Sequence, residues 1–135
     1  MAGTWIDIPS SDGQSFQGYL AVPEAGFGPG IILLQEIFGV NGTMRDVADY
    51  YAEEGYVVLV PDLFWRFEPH IELGYGEEDF GKAFGYFQKF DVDQSIRDTA
   101  DALKVLRARP EQAGKVGALG FCLGGKLAYL TAART

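Results

Sequence analysis

The chain has 135 residues, of which 47% are hydrophobic and 22% charged, so it can bury the core of one domain but not of two. Its formal net charge of -8, with no basic helix or patch, excludes nucleic acid and anionic membrane surfaces as expected partners and leaves small molecules. The single cysteine excludes an intramolecular disulfide framework and fits a reducing compartment.

The opening stretch, Met1 to Gly13, carries neither the basic nor the apolar part of a signal peptide, and no apolar run reaches membrane-spanning length. The expected location is therefore cytoplasmic. Thr4 to Pro9 and Phe16 to Val22 read as two strands joined by the turn Ser10-Ser11-Asp12-Gly13, which makes an antiparallel edge. Pro23 to Gly30 reads as a loop. It leads into Ile31 to Leu34, a continuous apolar strand of the kind buried on both faces of a parallel sheet, and then into Gln35-Glu36-Ile37-Phe38-Gly39.

Asn41 or Thr43 can cap a helix that carries Met44, Val47, Ala48 and Tyr51 on one stripe and stops at Gly55. Tyr56 to Val60 is a second buried strand, and the right-handed crossover rule makes it parallel to the first. From Leu63 to Gly76 the chain is aromatic and irregular, which suits a loop over the carboxyl ends of the strands better than core. Two helices follow, Glu77 to Phe90 and Asp93 to Arg107, the second with Asp93 as its expected N-cap. Buried strands alternating with helices give an α/β class with a mainly parallel sheet.

The last segment, Lys115 to Ala132, is a short apolar strand that breaks at Gly120-Phe121-Cys122-Leu123-Gly124 and continues as a helix. The G-x-C-x-G spacing has the form of a nucleophile elbow, a sharp strand-to-helix turn that lifts its middle side chain clear of the backbone. Side chains at Gly120 and Gly124 would collide across such a turn, and Gly125 gives the helix clearance against the sheet. A sulfur at a helix N-terminus is favoured as thiolate by the unpaired amides and the helix dipole.

In open parallel sheets ligands collect outside the carboxyl ends of the strands, so Glu36 and Cys122 can face one site. Glu36 interrupts an apolar run and must find a hydrogen-bond donor or shift its pKa upward. It either shares the thiol proton or accepts loop N-H bonds. An elbow site takes its oxyanion donors from the residue after the nucleophile and from an earlier loop, here the amides of Leu123 and Ile37. Arg66, beside Phe64, Trp65 and Phe67, either clamps a substrate carboxylate or stacks on a ring. Phe38 and Trp65 are the other candidate substrate contacts. His70, the only histidine, reads as a surface or lid residue with general base as the alternative, and Asp62 reads as a turn cap rather than a catalytic acid.

Gln35-Glu36-Ile37-Phe38-Gly39, Pro61-Asp62-Leu63 and Gly120-Phe121-Cys122-Leu123-Gly124-Gly125, in this order and spacing, resemble the dienelactone hydrolase family over the whole chain. The resemblance implies an α/β-hydrolase fold, with residues 1–135 forming the N-terminal portion of a single domain. It also implies hydrolysis of an ester or lactone through an acyl-cysteine intermediate, with no cofactor and no metal. Cys122 is then the nucleophile, Glu36 its resting partner and activator, and the Leu123 and Ile37 amides the oxyanion hole.

The family's triad acid and histidine follow the elbow helix and match no position here, so these residues alone are expected to be nearly inactive. The second substrate arginine of dienelactone hydrolases has no match near Asp79 to Lys82, which argues against dienelactone itself as substrate. In the family order the elbow strand is central, so Val116 to Leu119 should be an open edge that self-associates or takes a complementing chain. Two alternatives use the same fold: a non-catalytic small-molecule binding module and a redox-sensitive thiol protein.

Overall fold

A computed structural model describes residues 3–121 and 123–134; Cys122 lies outside the described residues. The elements in chain order are β1 (Thr4–Pro9), β2 (Ser15–Ala21), β3 (Gly28–Leu34), α1 (Gly42–Glu53), β4 (Val57–Pro61), α2 (Glu77–Gln88), α3 (Val92–Ala108), β5 (Gln112–Gly120) and α4 (Leu123–Arg134). The five strands form one sheet ordered β1-β2-β4-β3-β5. It is parallel across β4-β3-β5 and antiparallel at β1-β2 and β2-β4, so the expected parallel body and antiparallel edge are both present.

The period-2 alternation of the buried strands sorts their side chains between two layers. Ile32 and Leu34 of β3, with Val57 and Leu59 of β4, join Ile96, Leu106 and Leu127 in the core under α3 and α4. Leu33, Val58 and Val60 face the opposite side, where Met44, Ala48 and Ala52 of α1 cover them. Each fully buried aliphatic side chain contributes about 1.5–3 kcal/mol from water exclusion, which fixes the helices to their faces.

Three sequence readings are corrected and one open choice is settled. β3 begins at Gly28, inside the stretch read as loop, because the glycines serve close approach: a Cβ at Gly28 would overlap the Gly55 carbonyl oxygen, and one at Gly30 would lie 3.0 Å from Val116 of β5. Of the two possible caps of α1, Asn41 is used, its Oδ1 accepting from the Met44 amide at 3.1 Å. The cap of α3 is Asp91 rather than Asp93, with Oδ1 accepting from the Gln94 amide at 3.0 Å. Finally, the aromatic stretch after β4 is partly core: Leu63, Phe64 and Ile71 are buried, and only the remainder lies over the strand ends.

β5 is the last strand in the sheet order, paired with β3 alone among the described residues. Val116 and Leu119 are half-buried, while Gly117 and Ala118 are exposed.

Candidate active site

The site is built where β3, β4 and β5 end. Leu34 of β3 pairs with Gly120 of β5, so Glu36, two residues on, and the turn that opens α4 at Leu123 rise from the same rim of the sheet. An added Cβ at Gly125 would lie 3.4 Å from the Gly120 carbonyl oxygen, so the helix starts close against the strand it leaves. Leu123, the first residue of α4, is buried.

Strand alternation decides which of two neighbouring polar residues enters the core. Gln35 is completely buried, and its Oε1 accepts from the Leu63 amide at 2.8 Å, joining the end of β3 to the segment after β4. Glu36 is half-buried at the rim and finds its donor in the Tyr75 hydroxyl, 3.4 Å from Oε1. Asn41 Nδ2 donates to that same hydroxyl oxygen at 3.3 Å and to the Leu73 carbonyl at 2.9 Å, so the residue that caps α1 also holds the loop carrying Tyr75.

The turn 36–39 has a geometry that only glycine meets easily at its end. Gly39 has φ 81°, its amide donates to the Glu36 carbonyl at 3.2 Å, and a Cβ there would overlap the Ile71 carbonyl oxygen. Isolated bridges join Glu36 to Gly39 and Gly39 to Glu72, and the Leu73 amide donates to the Phe38 carbonyl at 2.9 Å. Arg45 completes the seam by donating to Glu72 Oε1 at 2.8 Å and to the Val40 carbonyl at 2.9 Å.

Phe38 meets Tyr75 edge-on with centroids 4.7 Å apart and Phe80 of α2 at 6.2 Å. Tyr75 therefore meets both Glu36 and Phe38 at this rim, and Phe38 also meets Phe80. Tyr75 was not a sequence candidate; its only signal was a tyrosine between two glycines in the loop over the strand ends.

Trp65 and Arg66 belong to a different cluster. The Trp65 ring stacks on Phe16 at 5.0 Å, and its Nε1 donates to Asp98 Oδ2 at 3.1 Å. The Arg66 guanidinium lies 4.3 Å over the Trp65 ring and forks onto Asp98 at 3.1 and 2.9 Å, while its remaining nitrogen reaches Asp12 at 2.9 Å. Of the two sequence readings for Arg66, stacking is the one seen, and the fork that would take a substrate carboxylate holds Asp98. Its pKa is raised by these carboxylates, Asp98 first, and that of Asp12 is lowered to about 2 by bonds from Ser10, the Gln14 amide and Arg66.

His70 lies on the same side as β1 and β2. Its ring packs on Trp5 at 4.1 Å, Nε2 is 2.7 Å from Gln17 Oε1, and its amide donates to Asp62 Oδ2 at 2.7 Å from a left-handed φ of 57°. Asp62 thus ties the end of β4 to the loop at His70. It is 1% exposed, and no hydrogen-bond partner reaches Oδ1 among the described residues, so burial raises its pKa. A carboxyl whose folded pKa is raised contributes stability below its unfolded value of about 3.9, and that contribution is lost as pH rises through the folded value. The urea midpoint of Asp62→Asn should therefore fall less than that of the parent as pH is raised above 4; parallel curves would refute the assignment.

A cavity of about 480 Å³ lined by Val22, Pro23, Glu24, Asp49 and Glu53 opens at the opposite end of the sheet, away from Glu36. Among the described residues no group of His, Cys, Asp and Glu is placed to hold a metal ion, and no helix is long and apolar enough to cross a membrane.

The model of the dienelactone hydrolase family matches residues 16–135. Carboxymethylenebutenolidase of Pseudomonas putida is 38% identical over 130 residues, covering 96% of this chain and 55% of the relative. Carboxymethylenebutenolidase 1 of Cupriavidus pinatubonensis is 34% identical over 136 residues, covering 100% and 58%. Among solved structures, a Klebsiella pneumoniae protein described as a candidate dienelactone hydrolase superposes with a TM-score of 0.79 at 29% identity, covering 100% of this chain and 56% of that one. A dienelactone hydrolase-like promiscuous phosphotriesterase from metagenomic libraries gives 0.71 at 28% identity, covering 98% and 54%. The chain spans a little over half the length of these relatives. With an α/β-hydrolase sheet, the elbow spacing and a family match over nearly its whole length, this chain belongs to the dienelactone hydrolase family.

Proposed function

We propose that the protein hydrolyses an ester or lactone through an acyl-cysteine intermediate, with Cys122 as nucleophile. The observation that carries this reading is the pairing of Leu34 with Gly120, because it brings the Glu36 turn and the start of α4 to one rim. In the proposed sequence Glu36 takes the thiol proton and the sulfur adds to the substrate carbonyl carbon. The resulting oxyanion accepts from the Leu123 and Ile37 amides. Collapse breaks the bond to the alcohol, which leaves with a proton, and water then cleaves the thioester to give the acid and restore the thiol.

Hydrolysis of the thioester needs a base, and His70 is engaged by Trp5 of β1, Gln17 of β2 and Asp62. The triad acid and histidine are accordingly assigned to sequence beyond these 135 residues, which form the N-terminal portion of one domain. Strand β5 is the surface that a complementing segment or a second copy would extend, through residues 116–119. The proposed location is cytoplasmic, consistent with a free thiol. The engagement of His70 also favours a second reading, in which this chain binds or is acylated without turning over.

Mixing the chain with p-nitrophenyl acetate and following intact mass tests the reading. One acetyl adduct should accumulate on the parent, with slow release, and none on Cys122→Ala. No adduct on the parent, or equal nitrophenolate release from both proteins, would overturn it.

A further inference from the structure

The N-cap of α1 also decides which way a hydroxyl proton points at the Glu36 turn. Asn41 is buried, and both ends of its amide are in use. Oδ1 accepts from the Met44 amide at 3.1 Å, while Nδ2 donates to the Leu73 carbonyl at 2.9 Å and to the Tyr75 hydroxyl oxygen at 3.3 Å. The reverse orientation would set an NH2 group against the Met44 N-H and an oxygen against the Leu73 carbonyl, leaving two buried groups unpaired. The amide therefore has one arrangement.

The consequence passes to Tyr75. Its oxygen serves Asn41 as acceptor, so the O-H hydrogen is left to donate, and Glu36 Oε1 receives it at 3.4 Å. Phe38 holds the tyrosine ring edge-on with centroids 4.7 Å apart, and the Leu73 amide, two residues before Tyr75, donates to the Phe38 carbonyl at 2.9 Å. Among the described residues no lysine or arginine pairs with Glu36; the nearby Arg45 is taken by Glu72, which bridges Gly39. Tyr75 is thus the side-chain donor that Glu36 has. A hydroxyl given to one carboxylate oxygen fixes the rotation of the group and favours its ionised form, the one able to take up a proton at the other oxygen.

We propose that Tyr75 is a positioning residue for the acylation step: its hydroxyl, oriented by Asn41, holds Glu36 ionised and in one rotation, with Oε2 left to receive the thiol proton. This deepens the reading of Glu36 as the group that activates Cys122, and rests on it. The thiol proton passes to Oε2 as the bond from sulfur to the acyl carbon forms, and Tyr75 keeps its own proton throughout.

The test is the rate at which p-nitrophenyl acetate places an acetyl group on Cys122, followed by intact mass from about pH 5 to about pH 9. Glu36→Gln should be about tenfold or more slower than the parent at the acid end and approach it at the alkaline end, where the thiolate forms unaided. Tyr75→Phe keeps the ring and its contact with Phe38, at a position 54% exposed, and removes only the hydroxyl. It should be about threefold slower at the acid end and converge on the parent at the alkaline end. Asn41→Asp keeps an oxygen to cap α1 but offers the hydroxyl a competing acceptor, so its deficit should fall at the acid end too. A loop that had merely loosened would slow the reaction alike at every pH.

A Tyr75→Phe profile that superposes on the parent, or is lowered uniformly, overturns the proposal; if Glu36→Gln keeps its acid-side deficit, the reading of Glu36 stands without it. An Asn41→Asp profile identical to the parent overturns the part assigned to the cap. A Glu36→Gln profile that superposes on the parent, or a parent that forms no adduct, brings down both.

Discussion

Replacing Asp98 by alanine is expected to lower stability by about 3 kcal/mol, at the lower end of the 3–5 kcal/mol typical of breaking a buried ion pair from one side. Asp98 is 1% exposed and accepts from Trp65 Nε1, two nitrogens of Arg66 and Gln94 Nε2, all within 3.2 Å. Its removal strands the indole N-H and half of the guanidinium fork. The lower end applies because the Arg66 side chain is 29% exposed and its charge can recover water. Asp12, which holds the outer end of the same guanidinium, lies at the surface, and Asp12→Ala should shift the urea midpoint far less. Equal shifts for the two substitutions, at unchanged slope, would show that burial does not set the weight of this network.

Phe64→Ala should cost about 3–5 kcal/mol, the range for emptying a buried aromatic site. The ring has no exposure and packs on Phe67 at 5.7 Å, Tyr86 at 5.7 Å and Phe90 at 5.4 Å, so the cavity is walled by side chains from the loop, from α2 and from the segment before α3. Such walls cannot all collapse inward at once. Phe84→Ala, at a position 47% exposed, is the matched control and should change stability by no more than about 1 kcal/mol. Thermal or urea unfolding of the pair checks this, and comparable losses would mean that the stretch after β4 is not part of the core.

The elements themselves were legible because each rests on local pattern: alternation in β1 and β2, uninterrupted apolar runs in β3 and β4, and apolar stripes in α1 and α3. What the sequence left open was decided by neighbours distant in the chain. Gly28-Pro29-Gly30 has the composition of a loop, yet it is strand because Gly55 and Val116 approach too closely for a side chain. Asp91 and Asp93 are equally good caps by type. Val92 packs on the core, which starts α3 two residues earlier and leaves Asp93 free to pair with Arg134.

The aromatic stretch carries no period that would tell Phe64, which is buried, from Phe67, which is 38% exposed. At the site, position along the chain identified Glu36 and the elbow spacing, but which of Gln35 and Glu36 points inward depends on the phase of β3. The Tyr75 hydroxyl reaches Glu36 only through the fold. Arg66 was read beside its aromatic neighbours, and the partner that settles its role, Asp98, belongs to a helix that follows much later.

The seam between 36–39 and 71–73 constrains how this scaffold can be re-engineered. Since Gly39 has room for no side chain against the Ile71 carbonyl, and Phe38 and Leu73 exchange a main-chain bond, the two segments are a single cassette. Importing the loop of another family member without its matching turn would set a foreign backbone against Gly39 and tilt the carboxylate-bearing turn with it. Recombination libraries built on this protein should carry both pieces from the same parent.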